Sequence, residues 1–111
     1  MFRHERLHCY RVAPEVAKHV PAIVRRWPRG NSSLEDQLKR SAMSVVLNIA
    51  EGNSRTGPKD RARFFAIARG SAAESASAID VAVAYRLMEA SEGEEMKDWL
   101  LQIVKMLSRL R

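Results

Sequence analysis

The stretch of sequence that decides the fold runs from Ser32 to Gly52 and reads SSLEDQLKRSAMSVVLNIAEG. Its apolar residues recur every three or four positions, which is the period of an α-helix with one buried face. They are Leu34, Leu38, Ala42, Val45 and Ile49. Ser32 followed by Glu35 predicts a capping box at the start, and Gly52 predicts the end after Glu51. The stretch is therefore an amphipathic helix.

The second half of this helix has more apolar surface than one face needs. Met43, Val46, Leu47 and Ala50 lie outside the main apolar stripe. A helix with apolar residues on two sides is covered on two sides. We therefore expect a second subunit to pack here, which predicts a homo-oligomer.

Three further helices flank this one. The first is predicted from about Leu7 to Trp27, ended by Pro28 and Gly30, with Pro14 and Pro21 predicting a kink or a late start near Ala13. Its apolar positions are Tyr10, Ala13, Ala17, Val20, Val24 and Trp27.

The third helix is predicted to begin at Pro58 and to run towards Ser91. Its small residues should let a neighbouring helix approach closely, and Gly70 is included among them for that reason. They are Gly70, Ser71, Ala72, Ala73, Ser75, Ala76 and Ser77.

The fourth helix is predicted to begin with a capping box of Ser91 and Glu94. Its apolar stripe is Met96, Trp99, Leu100, Ile103, Leu107 and Leu110. Four amphipathic helices with short connections and no alternating strand pattern predict an all-α protein. The expected architecture is one domain, residues 1–111, folded as an antiparallel up-down-up-down four-helix bundle.

The composition of the chain limits the possible classes of function and the expected compartment. The lone Cys9 cannot form an internal disulfide, and the sequence contains neither a signal-peptide pattern nor an apolar run long enough to cross a membrane. The expected compartment is the cytoplasm. The net charge of +6 and the pI near 10.1 are compatible with a polyanionic partner.

The charge is unevenly distributed in an antiparallel bundle. The start of the first helix, the loop after the second and the end of the chain would share one end, with ten basic residues against Glu5, Glu51 and Asp60, a net charge of +7. The densest part is Arg55, Lys59, Arg61 and Arg63, and the other basic residues are Arg3, Arg6, Arg11, Lys105, Arg109 and Arg111.

This basic end is a candidate phosphate-binding surface. The candidate nucleic-acid contacts are Arg55, Lys59, Arg61, Arg63, Arg3, Arg6, Arg11 and Arg109. The alternative is an ordinary solvated face. Because aromatic residues are few, the sequence predicts recognition of backbone and shape without a base-stacking platform.

Catalytic and metal sites find little support in the sequence. His4 and His8 lie one helical turn apart beside Cys9, but no third ligand accompanies them. Glu51 and Glu74 could form a carboxylate pair, but the Glu-x-x-His motifs of di-iron bundles are missing from the sequence. Asn48 and Glu51 are expected to make buried hydrogen bonds to helix ends or to a neighbouring subunit. We expect neither an enzyme nor a cofactor nor a metal.

Two motifs resemble a known family. Asp36 to Gly52 reads DQLKRSAMSVVLNIAEG and Asp60 to Glu74 reads DRARFFAIARGSAAE. Both are similar to the signature of the four-helix-bundle proteins encoded in intervening sequences of 23S ribosomal RNA genes. A relative of that family is the accessory variability determinant of diversity-generating retroelements.

The resemblance implies a ring of subunits, commonly a homopentamer, and the relative binds nucleic acid and a reverse transcriptase. It also implies that Asn48, Glu51, Gly52, Gly70, Ser71 and Glu74 are structural or assembly positions. The leading hypothesis is a basic homo-oligomer that binds structured RNA, with a reverse transcriptase as a further partner. The alternative is a protein-interaction module with no nucleic-acid ligand.

Overall fold

A computed structural model describes the backbone of residues 3–109 and the side chains of residues 10–109. This part of the chain is all-helical and contains no strand. The four helices are α1 (Arg3–Arg25), α2 (Ser32–Ser54), α3 (Pro58–Ala84) and α4 (Ala90–Ser108). The predicted all-α class and the number of helices are confirmed. In the described ranges, no helix is both long and apolar enough to cross a membrane.

α1 continues through both of its prolines. The prediction of a late start near Ala13 is wrong, because the helix begins at Arg3. Each proline removes one backbone donor, but burial of Val16, Val20, Ile23 and Val24 on one face compensates for the lost hydrogen bonds. Tyr10, which was assigned to the apolar face, is 46% exposed.

Neither predicted capping box forms. Ser32 is already the first residue of α2, and the cap residue Asn31 donates its side-chain amide to the Pro28 carbonyl at 2.9 Å. α4 begins at Ala90, so Ser91 lies within its first turn, and the cap residue Glu89 makes no side-chain cap bond. A serine inside the first turn is past the position from which its hydroxyl accepts from the free amides.

α2 is longer than the sequence predicted. It continues through Gly52 to Ser54, and the Arg55 amide donates to the Gly52 carbonyl at 3.2 Å. α3 begins at Pro58 as predicted and ends at Ala84, followed by Arg86 with a positive φ of 61°. Its end therefore precedes the predicted breaker Ser91.

The helices pack as a cycle of neighbours. α1 lies next to α2 and α4, and α3 lies next to the same two helices, whereas the backbones of the diagonal pairs do not approach closely in the described residues. Ser41 of α2 contacts Ser75 of α3, and Ser44 contacts Ser71. Higher residue numbers on α2 therefore pair with lower residue numbers on α3. α2 and α3 share the most extensive interface.

The core lies between these four helices. Its largest buried side chains include Phe65, Leu38, Ile49, Ile79 and Leu100. The predicted stripe of α4 is confirmed at Met96, Leu100, Ile103 and Leu107, with Trp99 half-buried, while Leu110 lies outside the described residues.

The small residues of α3 divide between two faces. Ser71, Ala72 and Ser75 are buried. Gly70 is exposed, and a β-carbon there would meet nothing within 4 Å among the described atoms. Within this chain, the prediction that Gly70 permits close helix packing is wrong. Gly52 and Gly93 take that role, because an added β-carbon would lie 2.7 Å from Phe65 Cδ1 and from Val83 Cγ2 respectively.

Candidate nucleic-acid interface

The loop between α2 and α3 is short and tightly held. It spans residues 55–57, with Gly57 as the cap residue of α3 and Pro58 at the first helical position, where proline's missing donor costs nothing. The Arg61 amide donates to the Gly57 carbonyl at 3.0 Å. The two helix ends therefore place residues 51–64 within one compact surface.

Two arginines of this surface pack on one aromatic ring. The Cζ atoms of Arg55 and Arg63 lie 4.9 Å and 4.7 Å from the centroid of the Phe64 ring. Both distances are within the range of a cation–π contact. We name Arg55, Arg63 and Phe64 the Arg–Phe cluster.

Carboxylates hold the two arginines in place. Arg55 pairs with Glu51 at 3.1 Å and with Asp60 at 3.5 Å, and Arg63 pairs with Asp60 at 2.8 Å. All of these groups are well exposed, so the pairs contribute little to stability. Their effect is to orient the guanidinium groups against Phe64.

Arg61 has a different role from its neighbours. Its side chain is half-buried and donates to the Arg55 carbonyl at 3.3 Å and to the Thr56 carbonyl at 3.5 Å. These carbonyls follow the end of α2, where acceptors lack helical partners. Arg61 therefore stabilises the loop, while the exposed Lys59 lies in the first turn of α3.

The remaining predicted contacts lie further away. Arg69 donates to the Leu107 carbonyl at 3.4 Å. The end of α4 therefore lies beside the turn of α3 that contains Arg69, beyond the Arg–Phe cluster. Residue 69 is separated from Pro58 by about 16 Å of helix. Arg109 and Lys105 lie within one helical turn of Leu107 and therefore flank α3 near Arg69.

α1 contributes less to the described surface. Arg11 is exposed on α1. The side chains of Arg3, Arg6 and Arg111 lie outside the described residues. Of the eight candidate contacts, the structure brings Arg55, Arg61 and Arg63 together, with Lys59 adjacent.

Asn48 joins a polar seam between α2 and α3. Its amide donates to the Ser44 carbonyl at 2.8 Å and to the Ser44 hydroxyl at 3.0 Å, and that hydroxyl lies 2.7 Å from the Ser71 hydroxyl. The Ser75 hydroxyl lies 2.7 Å from that of Ser41. The pairs Ser44–Ser71 and Ser41–Ser75 thus link the two helices by hydrogen bonds, and Asn48 holds Ser44 from within α2.

The two glutamates of the motifs do not pair. Within this chain Glu51 is exposed and forms an ion pair with Arg55, so a hydrogen bond from Glu51 to a neighbouring subunit stays a prediction. Glu74 is also exposed, and it neighbours Ser75, whose partner Ser41 is about 15 Å along α2 from Glu51. Over the described side chains, no group of three or more His, Cys, Asp or Glu could hold a metal. His4, His8 and Cys9 lie outside them.

An apolar groove between α1 and α2 is the second notable surface. It has a volume of about 530 Å³, and Lys39 and Arg40 are its charged residues. Its apolar lining is Pro14, Ala17, Val20, Pro21, Ala42, Met43, Val46 and Leu47. The broad apolar face of α2 in the sequence predicted the α2 side of this groove. The side that the α1 prolines form was not predicted from the sequence.

A smaller cleft of about 350 Å³ separates α1 from α4. Arg26 and Glu92 form an ion pair of 2.7 Å at this cleft, and the rings of His19 and Trp99 are 5.2 Å apart. These contacts tie the two helices together across the cleft.

Two comparisons with known proteins bear on the chain. The family model of the 23S rRNA-intervening sequence protein matches residues 5–109. No curated protein matches it significantly.

Proposed function

Because the chain belongs to the 23S rRNA-intervening sequence protein family, we propose that it is a non-catalytic homo-oligomer that binds structured RNA. In this proposal each subunit is an antiparallel up-down-up-down four-helix bundle, and the assembly is a ring of five. A reverse transcriptase is a further proposed partner, through the family resemblance alone.

The observation that carries the proposal is the set of cations around the α2–α3 loop. Arg55, Lys59, Arg61 and Arg63 lie within nine residues that contain one carboxylate, Asp60, and Glu51 precedes them by one helical turn. Lys59 is in the first turn of α3, where the positive end of the helix dipole disfavours a cation. A cation in an unfavourable exposed position is better explained by an anionic ligand than by folding.

The apolar groove supports self-association. Met43 and Leu47 are each 55% exposed in the single chain. Covering them would remove apolar surface from water at about 25 cal/mol per Å². A ring would also repeat the loop surface several times, so that weak phosphate contacts act together on one RNA.

The direct test is a titration of a structured RNA at several salt concentrations. We compare the triple variant R55A/K59A/R63A with K18A/R25A/R29A, which removes the same charge from exposed positions elsewhere. The first should weaken binding and reduce the salt slope, and the second should change both less. Arg61 is left intact because it holds the loop. The absence of binding at low salt, or binding without salt dependence, would refute the proposal.

The second candidate function is a protein-interaction module. The apolar groove favours it, because a groove of this volume between two helices could accept an apolar helix of another protein. Purification of the protein from cells, followed by sequencing of bound nucleic acid, distinguishes the RNA-binding function from the protein-interaction function. Recovery of a defined RNA supports the first function, and recovery of a protein partner without nucleic acid supports the second.

A further inference from the structure

The Arg–Phe cluster offers flat surfaces as well as charge. Phe64 is half-buried, and the side chains of Arg55 and Arg63 are 43% and 65% exposed. A guanidinium group is planar, so one of its faces can rest on an aromatic ring while the other stays accessible. Two exposed guanidinium groups lie 4.9 Å and 4.7 Å from the centre of this ring, so planar groups and an aromatic ring are concentrated at one place on the surface.

The carboxylates occupy the edges of these groups. Glu51 accepts a hydrogen bond from Arg55 and Asp60 accepts one from Arg63, and Asp60 also forms an ion pair with Arg55 at 3.5 Å. A phosphate binds an arginine best through a pair of edge N–H groups. Several guanidinium N–H groups of Arg55 and Arg63 are already engaged by carboxylates. The cluster is therefore better suited to stacking on its faces than to binding phosphates.

We propose that the Arg–Phe cluster binds an unpaired nucleobase of RNA by stacking, with the neighbouring Lys59 contacting the adjacent phosphate. This inference rests on the proposed function and specifies the ligand as the looped or single-stranded part of a structured RNA. In a duplex the faces of the bases are hidden in their own stack, whereas unpaired bases stack on aromatic rings and arginine planes. The sequence predicted no stacking platform because its aromatic residues are few, and the position of the two arginines on Phe64 depends on the fold.

The experiment compares two RNAs of equal phosphate number, a hairpin with an unpaired adenine loop and a blunt duplex. The decisive variant is R55K/R63K, because lysine keeps each charge but lacks the planar face. F64L removes the ring from the same surface. Y85L is the matched aromatic control, since Tyr85 is 66% exposed at the other end of α3.

We expect the intact protein to bind the hairpin about fivefold to tenfold more tightly than the duplex. R55K/R63K and F64L should lose this preference and keep the duplex affinity, and Y85L should retain it. A loop adenine replaced by 2-aminopurine should lose fluorescence on binding the intact protein and less on binding F64L. Circular dichroism checks the helix content, and R55K/R63K decides the test if F64L unfolds.

Two other outcomes separate this inference from the proposed function. Equal affinity for hairpin and duplex, unchanged in R55K/R63K, would overturn stacking and leave RNA binding standing. Binding of neither RNA at low salt would overturn both.

Discussion

Gly52 of α2 lies directly against the ring of Phe65 in α3, so closely that a β-carbon on the glycine would be 2.7 Å from Phe65 Cδ1. The ring is only 1% exposed, so it has no space into which it could move. The contact lies at the end of the α2–α3 pair that presents the candidate RNA surface. The absence of a side chain at residue 52 therefore sets how closely the two helices approach there.

Replacing Gly52 with alanine should destabilise the protein. The overlap with Phe65 should cost about 1–3 kcal/mol, which exceeds the gain of about 1 kcal/mol in helix propensity. The measurement is the free energy of unfolding in denaturant. G70A is the control, because its β-carbon meets nothing within 4 Å in the described chain, and it should be stabilising. Equal effects of G52A and G70A would contradict this prediction.

Ser75 should tolerate loss of its hydroxyl better than an increase in size. Its hydroxyl lies 2.7 Å from Ser41 Oγ and 3.0 Å from the Ser71 carbonyl, and the residue is 0% exposed. S75A should cost about 0.5–1.5 kcal/mol, because Ser41 retains the Leu38 carbonyl as a partner. S75L should cost more by forcing α2 and α3 apart. Thermal unfolding of both variants checks the order, and S77L at an exposed position is the size control.

Substitutions of Arg61 and Lys59 should have different effects, with R61A loosening the loop and K59A weakening RNA binding. R61A removes donors to the carbonyls of Arg55 and Thr56, so it should increase amide hydrogen exchange in the loop. K59A should leave exchange unchanged and lower the salt slope of RNA binding by about one unit. If K59A loosens the loop as much as R61A does, this division of roles is wrong.

The apolar groove should be needed for self-association. M43K/L47K places two charges where apolar side chains are each 55% exposed, and it should convert the oligomer to monomers while preserving helix content. Light scattering measures the mass. Y85K, at another exposed apolar position, should leave the assembly intact. A wild-type protein that is monomeric at micromolar concentration would contradict the underlying proposal.

The free energy of unfolding should depend on pH in the alkaline range because of Lys97. Its hydrogen bond to Asp80, followed by that to Glu94, raises its pKa above 10.5. A raised pKa in the folded state means that this stabilisation is complete below pH 10.5 and is lost as the pH rises through the folded pKa. The difference in unfolding free energy between wild type and K97M should therefore shrink in alkali. K105M is the control, and a difference independent of pH would contradict the prediction.

Local patterns in the sequence determined the existence and approximate extent of the helices. The spacing in α4 predicted the burial of Met96, Leu100, Ile103 and Leu107, and Pro58 predicted the start of α3. The short spacing from Arg55 to Arg63 identified the cationic loop. These predictions succeeded because helical period and proline geometry depend on neighbouring residues alone.

Tertiary structure decided which small or charged residue meets which partner. Gly52 and Gly70 are both glycines within helices, yet in the described part of the chain only Gly52 faces another helix, because the rotation of each helix is set by packing across the core. Packing also placed the end of α4 beside Arg69. The stacking of Arg55 and Arg63 on Phe64 requires α2 and α3 to meet at one register, and that register is a property of the folded core.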